Sequence, residues 1–157
     1  MTFRTTDLLD AHPGLEACEA GLRHFGGVRR FSGEAVTLRC LEDNSRVREL
    51  LKTPGRGRVL VIDGGGSRRC ALVGDLLAES AHQQGWSGIV VAGCVRDSAK
   101  LAQLPIGILA LGVQPRRSEK HGQGVDGVPV AILGARVHPG DHVYADEDGV
   151  VFSPQPL

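Results

Sequence analysis

Three side chains able to do acid–base, electrostatic and metal chemistry fall at two turns of the chain. Asp75 lies in Gly74-Asp75-Leu76-Leu77, and Arg96 and Asp97 follow after twenty intervening residues. The apolar run Ala71-Leu72-Val73 leads into the first turn and Ile89-Val90-Val91 into the second, so each is expected where a strand ends and a helix opens. Two helix starts would then face a common crevice. Helix N-termini present unpaired N–H groups and a partial positive charge, which suits an anionic ligand such as a carboxylate. Arg96 adds a fixed cation and Asp97 a hard oxygen ligand. Each has a plainer alternative: Asp75 as a helix N-cap worth ~1 kcal/mol, and Arg96-Asp97 as a surface ion pair with a similar capping role.

The elements that must hold these turns can be read around them. Val59-Leu60-Val61-Ile62 is a continuous apolar run, as in a strand covered on both faces, and should be central. Residues 76–84 are expected as the helix after Asp75, closed by Gly85, and 98–104 as the helix after Asp97, closed by Pro105. Ile106 to Leu111 supplies a further buried strand, so 57–112 reads as repeated β–α units with a largely parallel sheet. Upstream, 5–12 and 14–24 read as two short helices, the first capped by Thr6 or Asp7 and the second set off by Pro13-Gly14. Residues 32–41 alternate as a half-exposed strand. Asn44 or Ser45 then caps a helix to about Lys52, with Val47, Leu50 and Leu51 on its apolar face and Arg46, Arg48 and Glu49 in water. Downstream of the polar loop 114–124, short runs at 128–133, 136–137, 142–144 and 150–152 suggest an antiparallel layer, with Asp148-Gly149 as a hairpin turn.

Composition limits what such a crevice could serve. The 157 residues form one domain, and eighteen basic side chains balance eighteen acidic ones, so no broad attraction to nucleic acid or membrane is built in. No apolar run has the length of a signal peptide or membrane span, which implies a cytoplasmic protein. Cys18, Cys40, Cys70 and Cys94 are too far apart for a metal or redox pair and read as buried free thiols; Cys94, two residues from Arg96, has no neighbouring His to make it a nucleophile. Asp63-Gly64-Gly65-Gly66-Ser67 resembles a dinucleotide loop, but G-x-G-x-x-G fails at Arg69, so these glycines read as turn and packing positions. His138 and His142 are separated by Pro139-Gly140, which denies them a common helical face for a metal. Asp146-Glu147-Asp148 reads as ordinary hairpin acidity. Arg116-Arg117-Ser118-Glu119-Lys120-His121 reads as a solvated loop, less readily as a contact for substrate carboxylates or a protein partner.

The motifs FGG at 25–27, LEDN at 41–44, RVLVIDGGGS at 58–67, ALVGD at 71–75, GW-x-G-IVV-x-G-x-VRD at 85–97, IGI-x-ALG at 106–112 and PGDHVYADEDGVV at 139–151 carry a resemblance over nearly the whole chain. They resemble the RraA family, which holds the regulator of ribonuclease activity A and the class II 4-hydroxy-4-methyl-2-oxoglutarate aldolases. The resemblance implies a swivelling β/β/α-type α/β domain, with a partly parallel central sheet flanked by helices and a C-terminal antiparallel layer. It also implies a homotrimer ring, or two rings paired into a hexamer, with sites at subunit interfaces.

For the site, the resemblance implies that the backbone of Gly74, Asp75, Leu76 and Leu77 holds the carboxylate of a pyruvate-like acid. Arg96 would contact its keto oxygen, Asp97 would anchor a divalent cation (Mg²⁺ or Mn²⁺), and Asp75 would orient or deprotonate a water on that ion. Lys100 stands where the aldolases often carry an acidic residue, which bears on preference for the branched aldol substrate. Three functions follow as expectations. The first is a metal-dependent aldolase that also decarboxylates oxaloacetate. The second is a regulator that binds a ribonuclease without chemistry, and the third is a methyltransferase, a label the failed cofactor loop argues against.

Overall fold

The computed structural model describes residues 2–157. Its elements, in chain order, are α1 (Thr5–Ala11), β1 (Glu16–Ala17), β2 (Arg23–His24), β3 (Phe31–Arg39), α2 (Ser45–Leu51), β4 (Val59–Asp63), β5 (Ala71–Val73), α3 (Asp75–Gln83), β6 (Gly88–Val95), α4 (Ser98–Leu101), β7 (Gly107–Val113), β8 (Val125–Asp126), β9 (Val130–Ile132), β10 (Ala135–Val137), β11 (His142–Asp146) and β12 (Gly149–Ser153).

The main sheet runs β1-β12-β11-β3-β4-β6-β7-β2, with β5 added to β6 and β8 to β3; β9 and β10 form a separate hairpin. Its centre is parallel: β3, β4, β6 and β7 run side by side, and β5 joins the C-terminal end of β6. β3 belongs to two arrangements, since 31–34 pair antiparallel with β11 and 35–39 pair parallel with β4. The sheet curls at that handover.

Strands covered on both faces need apolar side chains at every position. β4 as far as Ile62 and β6 carry no polar side chain, and alternate positions feed two cores. Leu60, Ile62, Ile89 and Val91 point toward Val47 and Leu51 of α2 and Ala78 and Ala81 of α3. Val59, Val61 and Val90 point the other way, to Val130, Ile132, Val143 and Phe152 of the antiparallel strands. The result is a layer of helices, a central sheet and a β layer, an α/β fold. Phe31 fits between the layers because Gly88 and Gly107 lack Cβ atoms; one built on either would lie within 2.4 Å of the ring.

Four local expectations change. Residues 14–24 form no helix: β1 pairs with β12 and β2 with β7 at the two ends of the sheet path. The N-cap of α1 is Arg4, not Thr6 or Asp7, and the first helical N–H is met from far away by Asp146, whose Oδ2 accepts from Thr5 N at 2.7 Å. α2 begins after Asn44, yet neither Asn44 nor Ser45 caps it through a side chain; Asp43 Oδ1 accepts from Ser45 N at 2.9 Å instead. The helix after Asp97 is four residues, 98–101, not seven. The glycine loop after β4 is a turn, with Gly65 and Gly66 at positive φ. The thiols are free; Cys40, Cys70 and Cys94 are buried as expected and Cys18 only partly so, and burial raises the pKa of Cys94.

Candidate active site

Ligand sites in parallel α/β sheets form where strands deliver their C-terminal ends. Here β5 ends into α3 and β6 ends at Arg96 and Asp97. A cleft of about 310 Å³ opens between them, lined by Gly74, Asp75, Leu76, Leu77, Arg96 and Asp97 together. The residues singled out from sequence are thus all on one surface.

Asp97 determines the local geometry. It sits at φ 60°, ψ 41°, the left-handed region that asparagine and aspartate tolerate better than most side chains. That conformation turns its carboxylate back to the other turn, where Oδ2 accepts from the backbone N–H of Asp75 at 3.1 Å. Gly74 makes room, since a Cβ on it would lie 2.8 Å from Asp97 Oδ2 and 3.4 Å from Arg96 Cγ. One start-of-helix amide is therefore already used by the protein. Those of Gly74 and Leu77 remain for a ligand anion, while the Leu76 N–H also bonds the Asp75 carboxylate. α3, at nine residues, carries the helix-start field; α4 is too short to add much.

The plain alternatives describe these groups only in part. Asp75 is the first residue inside α3 and not its N-cap, and Asp97 meets the first amide of α3 but makes no side-chain cap on α4. Arg96 forms no ion pair with Asp97 among the described residues; its Nη1 reaches the Pro115 carbonyl at 3.5 Å. Asp75 Oδ2 receives Lys100 Nζ at 3.2 Å. Burial pushes the Asp75 pKa up, but its contacts with Asp97, Lys100 and the Leu76 N–H outweigh this and hold it below the ordinary carboxylate value.

Most of the remaining wall of the cleft was not singled out from sequence. Asn44, Arg48 and Lys52 line it from α2 and its flanks, Arg117 and Lys120 from the loop before β8, and Ser80 from α3. Arg48 reads in sequence as the wet side of an amphipathic helix, and Arg117 and Lys120 as a solvated loop or, less readily, a contact for substrate carboxylates or a protein partner. Spacing of four, from Asn44 to Arg48 to Lys52, was the available signal. Among the described residues no group of three or more His, Cys, Asp or Glu gathers to hold a metal, so His138, His142 and the 146–148 carboxylates make no such site. Asp146 is instead buried as the anchor of α1.

The profile of the RraA-like family, described as Aldolase/RraA, matches residues 5–152. The chain belongs to the RraA-like family. A Burkholderia mallei (strain SAVP1) relative is 55% identical over 100% of this chain and 99% of its own length, and is provisionally named 4-hydroxy-4-methyl-2-oxoglutarate aldolase. The RNA-processing inhibitor RraA from Thermus thermophilis superposes with a TM-score of 0.96 at 48% identity, covering 100% of this chain and 96% of that one. A Geobacillus kaustophilus HTA426 structure named S-adenosylmethionine: 2-dimethylmenaquinone methyltransferase gives 0.95 at 46% identity, covering 99% and 97%. Three names for one RraA-like fold mean that fold alone does not choose among activities. The contents of the cleft must.

Proposed function

We propose that the chain is a divalent-metal-dependent lyase acting on 2-oxo acids. It would cleave 4-hydroxy-4-methyl-2-oxoglutarate as an aldolase and decarboxylate oxaloacetate, both through pyruvate enolate. The observation that supports this is the single cleft that combines a helix start, a guanidinium and two carboxylates. The 1-carboxylate would be received by the amides of Gly74 and Leu77 and by that of Leu76, which it would share with the Asp75 carboxylate. Arg96 would donate to the 2-oxo oxygen, where negative charge grows as the C3–C4 bond breaks and its electron pair moves into the enolate. In aldol cleavage the 4-hydroxyl loses its proton and C4 becomes a carbonyl; in decarboxylation CO₂ leaves. The enolate then takes a proton at C3. Asp75, paired with Lys100, would hold the proton in transit.

The residues present fit a divalent cation. Asp97 and Asp75 are hard oxygen donors, and Asp97 Oδ1 has no protein donor among the described residues, its Oδ2 being held by the Asp75 amide. A site with so few protein oxygens suits Mg²⁺ or Mn²⁺, which retain waters. When bound, such an ion supplies Lewis-acid stabilisation of the charge on the 2-oxo oxygen. The same reading includes a cytoplasmic homotrimer ring, single or paired into a hexamer. Leu76, 76% exposed at the cleft, is an apolar side chain that a neighbouring copy would cover.

A second reading, a non-catalytic regulator of a ribonuclease, is favoured by the name of the Thermus relative at 48% identity. Oxaloacetate decarboxylation measured with and without Mg²⁺ tests the first. Metal-dependent turnover that disappears in Asp97→Ala, with the fold retained, supports it; absence of turnover on oxaloacetate and on the branched aldol with either metal overturns it.

A further inference from the structure

Five basic side chains line the cleft against two carboxylates, more positive charge than one carboxylate and a keto oxygen require. Arg96 is committed to the reacting end. Arg48, Lys52, Arg117 and Lys120 are left, and among the described residues none has a carboxylate within 4.0 Å.

Their placement is built rather than scattered. Residues 44, 48 and 52 lie one turn apart, so Asn44, Arg48 and Lys52 form a single stripe along α2. The adjacent stripe, Val47 and Leu51, is wholly buried against the sheet and fixes which way the first one faces. The opposing loop is tied down on both sides. The Arg116 carbonyl accepts from Ala71 N at 2.7 Å, and the buried Asp43 carboxylate accepts from His121 N at 2.6 Å and Gln123 N at 3.3 Å. Asn44 supplies an independent sign that a partner is missing. Its Nδ2 donates to the Leu72 carbonyl at 3.1 Å, which fixes the amide, and its Oδ1 is buried with no donor.

We propose that Arg48 and Lys52 of α2, with Arg117 and Lys120 of the facing loop, form a second-anion subsite that takes the distal carboxylate of a dicarboxylic 2-oxo acid. Selection for the second negative charge would then come from this wall, and chemistry from Asp75, Arg96 and Asp97. The assignment rests on the 2-oxo acid reading above and adds the residues that choose among such acids.

Calorimetric titration in the presence of Mg²⁺ with two unreactive probes tests it: 2-oxoglutarate, with two carboxylates, and 2-oxobutanoate, with one. Wild type should bind 2-oxoglutarate at least about tenfold more tightly, and the preference should shrink as salt rises. The double variants Arg48→Met/Lys52→Met and Arg117→Met/Lys120→Met keep apolar stems and remove charge. Each should reduce the preference several-fold, chiefly by weakening 2-oxoglutarate. Equal affinity for the two probes in wild type, or a preference untouched by both double variants, overturns the subsite. A preference that depends on these residues in a protein without lyase turnover supports the subsite and sinks the lyase reading alone. Turnover with no preference does the reverse.

Discussion

Lysine in place of Arg96 keeps a positive charge but loses the planar fork that can aim two N–H groups at one oxygen. If Arg96 directs a hydrogen bond to the developing enolate oxygen, Arg96→Lys should lower kcat on oxaloacetate by ~10²–10³, nearly as much as Arg96→Ala. If it only draws anions into the cleft, lysine should retain most of kcat and alanine should raise KM alone. Steady-state kinetics at saturating Mg²⁺ separate the two. Gly74→Ala probes the other side of the same arrangement. Its φ of −126° accommodates alanine, but the new Cβ would press on the Asp97 carboxylate. We expect a melting temperature close to wild type and a loss of metal-dependent kcat of ~10-fold or more, since small misplacements of reacting groups are costly; unchanged kinetics would mean that the Asp97 orientation is unimportant. That Asp75, Arg96 and Asp97 share one cleft was legible from charged groups at strand ends, while their roles came from the family resemblance alone. The dependence on Gly74 was not, because it follows from a left-handed backbone at Asp97 that no local pattern announces.

Among the elements, the loop carrying Arg117 and Lys120 depends on one buried carboxylate. Burial alone would raise the Asp43 pKa, yet the N–H groups of Ser45, His121 and Gln123 and the Ser45 hydroxyl outweigh it and bring the value from 3.8 to about 2. A carboxylate depressed on folding contributes stability that is present above its unfolded pKa and is lost as pH falls through the folded one. Wild type should therefore exceed Asp43→Asn in urea midpoint above about pH 4, and the gap should close as pH falls toward about 2; a gap that persists at the acid end would refute the assignment. The buried strands and α2 and α3 were legible because continuous apolar runs and three-to-four spacing leave few alternatives. Residues 14–24 were not: Leu15, Cys18 and Leu22 mimic helical spacing, while their partners in β12 and β7 lie far along the chain. Two-residue strands take their identity from those partners alone.

For the molecule as a whole, the tie between α1 and the last hairpin is central. Asp146 accepts from Thr5 N and Thr5 Oγ1 at 2.7 Å each and from Asp148 N at 3.0 Å. Asp146→Ala would leave buried donors without partners, at ~1–3 kcal/mol for such a group. Urea unfolding should show a loss of at least that order, with the cleft chemistry of the remaining folded protein unchanged; a loss under ~0.5 kcal/mol would mean water replaces the carboxylate. The regulator reading is tested at this scale too. A ribonuclease held through the outer surface should be pulled down equally by wild type, Asp75→Ala and Arg96→Ala. Binding lost in both variants, and indifferent to metal and substrate, would place the protein contact in the cleft and count against the lyase assignment.

The 141-residue separation between Thr5 and Asp146 also bears on the order in which the chain is made. Residues 5–17 are synthesised early, but α1 and β1 rest on β11 and β12, so they stay without a template until residues 142–153 have left the ribosome. The parallel centre, β3 to β7, is complete well before then. Nascent chains stalled at increasing lengths should accordingly gain protease resistance in two steps, the centre first and residues 5–17 last.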